Sequence, residues 1–245
     1  MTIEIRPLTA HAELQEAVRL QKQTWGFEDV ELIPLRLFVV ATKIGGQVFG
    51  AFDGKKMIGF CLAIPGLKAG GKTYLHSHML AVAPEYRNAG VGRSLKLAQR
   101  DDALARGIEL MEWTFDPLEI KNAFFNMERL GAIVRRYVLN QYGTTSSPLH
   151  GGLPTDRCTA EWWLKSARVE AILAGQPLKR NPIETRIAVP SDIATIRNAD
   201  PKRALAIQTK VSDEFRAGFA RGLAVIGFEK SEQAGTYLLG KWESN

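Results

Sequence analysis

From Val82 to Leu95 the chain reads Val-Ala-Pro-Glu-Tyr-Arg-Asn-Ala-Gly-Val-Gly-Arg-Ser-Leu. An apolar strand runs into a turn of the form Arg-x-x-Gly-x-Gly, and a helical pattern follows. Glycines lack Cβ, so backbone N–H groups there can approach an anion closely. The first turn of a helix adds orphan N–H donors and the positive end of its dipole. Arg87, Asn88, Ala89, Gly90, Val91, Gly92 and Arg93 are therefore expected to form a cradle for a pyrophosphate, with Lys96 adding charge. Two other readings exist. The glycines could serve tight packing only. A dinucleotide-binding turn would want Gly-x-Gly-x-x-Gly, but Asn88 stands at its first glycine and no third glycine follows.

Around this turn the patterns alternate between strand and helix, which predicts an α/β fold with a mixed sheet. Strands are expected at Ile3–Leu8, Gln47–Phe52, Lys56–Ile64, Thr73–Val82, Ile108–Phe115, Ile133–Gln141 and Cys158–Leu164. Asp53-Gly54 predicts a tight hairpin. Helices are expected at His11–Trp25, from Ile33-Pro34 to Ile44, at Gly90–Arg106, and from an Asp116 cap to Leu130. The segment Gly143–Pro154 reads as a long loop, of a length that is usually functional. Residues 1–166 are read as a core and 167–245 as an extension, with a linker near 176–182. In the extension we expect a short helix at 167–175, strands at Ile183–Val189, Leu223–Phe228 and Thr236–Trp242, and helix from Ser191 to Arg221. Its order echoes residues 3–62, as a degenerate half-repeat or as an unrelated extension, with a covering role or a homodimer contact as its expected job.

The chain has 245 residues, 45% of them hydrophobic, so it can bury a sizeable core. No apolar run approaches the ~20 residues of a membrane span, and no signal-peptide pattern opens the chain. Its net charge of +6 is spread evenly along the chain. That argues against a nucleic-acid tail and suits a polyanionic small ligand. Cys61 and Cys158 lie far apart with no CxxC or Cys/His cluster, so neither a disulfide framework nor a metal site is expected. A cytoplasmic protein with two reduced thiols is the expectation.

Together with its context, the Arg87-x-x-Gly90-x-Gly92 turn resembles the GNAT superfamily of acyl-CoA-dependent N-acyltransferases. The resemblance covers about residues 3–165. It includes Asn122-Ala-Phe-Phe-Asn-Met127-Glu-Arg-Leu-Gly131-Ala, similar to that family's second motif. It implies that backbone N–H groups of Arg87–Gly92 hold the pyrophosphate of acetyl-CoA or another acyl-CoA. It further implies that the strand around Leu80 and Val82 pairs with the pantetheine and splays from the Ile133–Gln141 strand. Asn122 would reach the CoA arm, and a backbone N–H near Leu80 would stabilise the oxyanion. The acceptor implied is a small-molecule or peptide amine. In much of the family a tyrosine proton donor stands four residues before the glycine of the second motif. Here that residue is Met127, which cannot donate. Tyr137, Tyr142 or solvent are the substitutes.

Amine acylation also needs a proton acceptor near neutral pH. His76 and His78 lie on the strand entering the turn, on one face by strand periodicity, and imidazole titrates in the right range. Asp116 is a further catalytic candidate at a strand end, although it also suits a helix cap. Trp113 is read as core or pocket wall, and Arg157 as a possible carboxylate contact or a partner of Asp156. The rival function is a GNAT-fold module that binds acyl-CoA without turnover.

Overall fold

In a computed structural model, which describes residues 3–143, 151–178 and 180–243, the expected α/β alternation is realised. The residues divide into two compact units, one ending at Glu112 and the other beginning at Trp113. That boundary falls inside strand β5 (Leu110–Phe115).

The first unit contains β1 (Ile3–Pro7), α1 (His11–Trp25), α2 (Leu35–Ala41), β2 (Gln47–Asp53), β3 (Lys56–Leu67), β4 (Thr73–Val82) and α3 (Val91–Ala105). Strands β1 to β4 pair antiparallel in chain order, and β5 joins β4 in parallel. Each face of this mixed sheet is covered. On one, Leu14, Ala17 and Leu20 of α1 and Phe38 of α2 pack with Phe60, Leu62 and Met79. On the other, Val91 and Leu95 of α3 pack with Phe49, Ala51, Ile58 and Cys61. Two boundaries here differ from expectation by three residues. Helix α2 ends at Ala41, whose carbonyl accepts from Gly46 N at 2.8 Å. Strand β3 runs on through Pro65 to Leu67. Its register with β2 ends at Ala63, so over Pro65 it has a partner strand only on the β4 side, as suits a proline at a strand edge.

The second unit contains α4 (Ile120–Phe124), which continues as a π-turn over Phe125–Arg129, then β6 (Ile133–Val138), β7 (Arg157–Trp163) and α5 (Ala167–Leu173). After these come β8 (Thr185–Pro190), α6 (Ile193–Ala199), α7 (Pro201–Ala220), β9 (Ala224–Lys230) and β10 (Ala234–Gly240). The strand order is β7-β6-β9-β10-β8. The helical stretch expected over 191–221, one helix or two, is two. Pro201 cannot continue α6, and Asp200 Oδ1 accepts from Arg203 N at 3.0 Å to start α7. The likeness of residues 183–242 to 3–62 stops at element order: β1 pairs with β2, whereas β8 pairs with β10. Residues 144–150, most of the expected long loop, lie outside the described residues.

Among the described residues no helix is long and apolar enough to cross a membrane, and no group of three His, Cys, Asp or Glu could hold a metal ion. Cys61 and Cys158 are buried free thiols.

Candidate functional site

The turn after β4 is built as its glycine pattern requires. A short 3-10 turn (Pro84–Tyr86) leads to Asn88 at φ +64° and Gly90 at φ +83°, both left-handed. Asn tolerates that region better than most side chains, and Gly occupies it without strain. The first bond of α3 runs from Ser94 N to Gly90 O at 3.0 Å, so the amides of Val91 and Gly92 precede the helix's own ladder. Residues 87–90 are exposed. A Cβ added at Gly90 would meet nothing within 4 Å. One at Gly92 would stand 3.7 Å from Leu80 and 3.8 Å from Val82, in ordinary contact. The space beside the two glycines, where a Cβ would stand, is therefore open or in ordinary contact only. Arg87 bends back, its Nε donating to Val82 O at 3.3 Å. Lys96 does not contribute charge here. It is buried in the second turn of α3, its Nζ donates to Ser77 Oγ at 2.7 Å, and desolvation pulls its pKa from 10.5 to about 7.

Strand β4 carries a bulge that the sequence did not announce. Met79 stands opposite Leu62 and Ser77 opposite Ala63, so His78 is an extra residue on β4. The bulge reverses the side-chain parity along the strand. Ser77 reaches α3, bonding Lys96 and, at 2.9 Å, Gln99 Oε1. Beyond the bulge Met79 faces α1 and α2, while Leu80 and Val82 face α3. The His76 and His78 rings still lie together, their centroids 6.0 Å apart. His78 is exposed at the bulge, yet enough protein surrounds its ring for desolvation to lower its pKa. The parallel register with β5 covers Leu75 with Met111 and His76 with Glu112. The neighbour of β4 is thus β5 and not the 133–138 strand, which lies between β7 and β9.

Glu112 escaped the sequence reading. It is a buried carboxylate, held by Lys68 Nζ at 2.7 Å to both oxygens. The signal was available in Leu110-Met111-Glu112-Trp113, where a charge interrupts an apolar strand, because such a charge is buried only with a partner.

The other candidates belong to the second unit. Asp116 starts no helix. Its Oδ1 accepts from Leu118 N at 2.8 Å in a local turn, its Oδ2 is held by Arg197 at 2.7 Å, and α4 begins only at Ile120. Tyr142 is exposed, with its hydroxyl 2.9 Å from Thr114 Oγ1 and the Arg157 guanidinium 5.3 Å from its ring. Tyr137 donates to Asp156 Oδ2 at 2.8 Å, and burial followed by the neighbouring Asp156 raises its pKa, so it is a poor proton donor. Asn122 is exposed on α4. Met127 is fully buried, and its carbonyl accepts from Arg168 Nη2 at 3.1 Å. Trp113 is buried, donating to Asn126 Oδ1 at 3.2 Å.

Known proteins give this geometry its context. Comparison with curated proteins returns no match. Among solved structures, the ribosomal-protein-S18-alanine N-acetyltransferase of Escherichia coli is similar at TM-score 0.52 and 19% identity, over 68% of this chain and 96% of that one. NAA60 of Arabidopsis thaliana, solved with a bisubstrate analogue, is similar at TM-score 0.54 and 14% identity, over 66% of this chain and 98% of that one. Naa50 of Arabidopsis thaliana, solved with the bisubstrate analogue CoA-Ac-MVNAL, is similar at TM-score 0.51 and 13% identity, over 66% and 98%. At these identities the likeness concerns the fold. A family model, Acetyltransferase (GNAT) family, matches residues 12–131. The strand, turn and helix around Arg87–Gly92 fall inside that match, and the chain thus carries, over residues 12–131, a domain of the GNAT acetyltransferase family.

Proposed function

We propose that the chain is an acyl-CoA-dependent N-acyltransferase, with acetyl as the acyl group and a small-molecule or peptide amine as acceptor. The observation that carries this reading is the turn from Arg87 to Gly92, exposed over residues 87–90, with Asn88 and Gly90 left-handed immediately before the first turn of α3. A pyrophosphate fits such a turn because backbone donors and the helix dipole both favour anionic oxygens. Residues 1–166 would carry the chemistry and 167–245 would form an extension.

Acyl-CoA supplies the acyl group already activated as a thioester. On the protein's side, Arg87 to Gly92 hold the pyrophosphate and Arg93 adds charge beside it. From Ser77 to Val82, beyond the register with β5, the β4 backbone offers groups to align the extended arm past Leu80 and Val82. Asn122 is the contact expected from α4. An N–H near Leu80, next to the bulge, would bind charge developing on the acyl oxygen. His76 or His78 accepts the proton of the attacking amine, directly or through water. Met127 has no proton to give, so the departing thiolate takes its proton from Tyr142 or from solvent.

Calorimetry with CoA and release of free thiol across a panel of amines test the reading together, with mass spectrometry identifying the acylated product. Amine-dependent thiol release is the expected result. The buried Met127 favours one rival, a module that binds acyl-CoA without turnover. CoA binding without thiol release for any amine would establish that rival instead.

A further inference from the structure

The ion pair of half-buried Lys68 with buried Glu112 lies beside the histidine pair, and the reaction outlined above leaves it without a task. Strand geometry relates the two. Residues opposite each other in a parallel register point to the same side of the sheet, and Glu112 stands opposite His76. Tyr74, two residues before His76 and ahead of the bulge, shares that side. Lys68 confirms the assignment from a different direction. Its Nζ bonds both Glu112 oxygens at 2.7 Å and lies 4.5 Å from the centroid of the Tyr74 ring. His76 therefore stands among Tyr74 and His78 on β4, Lys68 just past the end of β3, Glu112 on β5, and the apolar Ile64, its partner on β3.

We propose that Glu112, clamped by Lys68, is a positioning residue that serves as counter-ion to His76, making His76 the protonatable member of the histidine pair and leaving His78 neutral. A carboxylate beside an imidazole favours the imidazolium and selects the ring tautomer. Lys68 pairs with the buried carboxylate and partly offsets its pull on His76. His78, at the bulge, has no carboxylate in its register and is exposed to the desolvation already described. This assignment rests on the N-acyltransferase reading for its catalytic meaning, but not for its electrostatics.

The test is an NMR titration of the imidazoles in the full chain, with the His76 resonance assigned through its loss in His76→Gln. His76 should titrate above His78. Glu112→Gln should lower the His76 pKa by about 1 or more, because the carboxylate is lost and Lys68 remains to repel the proton. The double variant Glu112→Gln/Lys68→Met, which also covers any folding defect from leaving Lys68 unpaired, should fall between wild type and Glu112→Gln. Exposed His11 should not move. A His76 pKa unchanged in both variants, or a His78 pKa above that of His76, would overturn the proposal. Turnover separates the two layers. If the pKa order holds but His76→Gln keeps the wild-type pH–rate profile, the counter-ion stands and His76 loses its place in the reaction.

Discussion

Gly90 and Gly92 carry different constraints although they sit two residues apart. Gly90 needs its left-handed φ, so Gly90→Ala should destabilise the turn by about 1–2 kcal/mol. Gly92 has helical neighbours and room for a Cβ at ordinary contact distance. Gly92→Asp should therefore leave the melting temperature near wild type while its carboxylate abolishes CoA binding by calorimetry; full affinity in that variant would remove the turn from the site. Lys96 gives a second residue-scale expectation. Its folded pKa of about 7 lies below the ordinary 10.5, so the unfolded chain binds more protons between these values. Stability should rise with pH across that window, by up to about 1.4 kcal/mol per pH unit. Cys61, which burial pushes up to about 12, acts in the opposite sense above its ordinary 9.0, so denaturant titrations from pH 7 to about 8.5 isolate the lysine. Lys96→Met should flatten the slope. A slope that persists in Lys96→Met would mean another group is responsible.

Among the elements, the turn after β5 and helix α6 are tied by charge. Arg197 binds Asp116 at 2.7 Å and Glu119 at 2.9 Å, with Arg197 and Asp116 nearly buried. Removing one side of such a pair leaves an uncompensated charge, so Arg197→Met should cost about 3–5 kcal/mol in urea unfolding. Adding Asp116→Asn to that variant should restore part of the loss, and a double variant no better than the single would show that the pair is not the source. The element record explains what was legible. The Asp200-Pro201 break is legible as a cap residue before a helix-starting proline. The extension of β3 across Pro65 was not visible, because it depends on where β2 stops. Neither the π-turn at Phe125–Arg129 nor the bulge at His78 has a local residue signature. Each follows from how an element is held by its neighbours, as where Arg168 bonds the carbonyls of Gly131 and Met127.

For the whole molecule, residues 167–245 belong to the second unit. Val225 of β9 pairs with Val134 of β6, Phe228 N donates to Glu128 Oε1 at 2.7 Å, and Tyr237 donates to Pro117 O at 2.6 Å. Phe215, Val225, Phe228, Tyr237 and Leu239 are buried there, at ~1.5–3 kcal/mol each for side chains of this size. Truncation before residue 177 should therefore yield insoluble protein, or protein with a cooperative transition at far lower urea. A soluble truncation with unchanged unfolding would show the extension to be dispensable. The sequence alone determined the alternation of strands and helices and the glycine-bearing turn that opens α3. Glycine conformation, proline geometry and side-chain chemistry act over a few residues, so they can be read in order along the chain. Only the tertiary structure decided that Glu112 lies beside His76, that Lys96 is buried away from the cradle, and that Asp116 is held by Arg197. Strand register and burial join residues dozens of positions apart, and a charged side chain takes its pKa and its role from those neighbours.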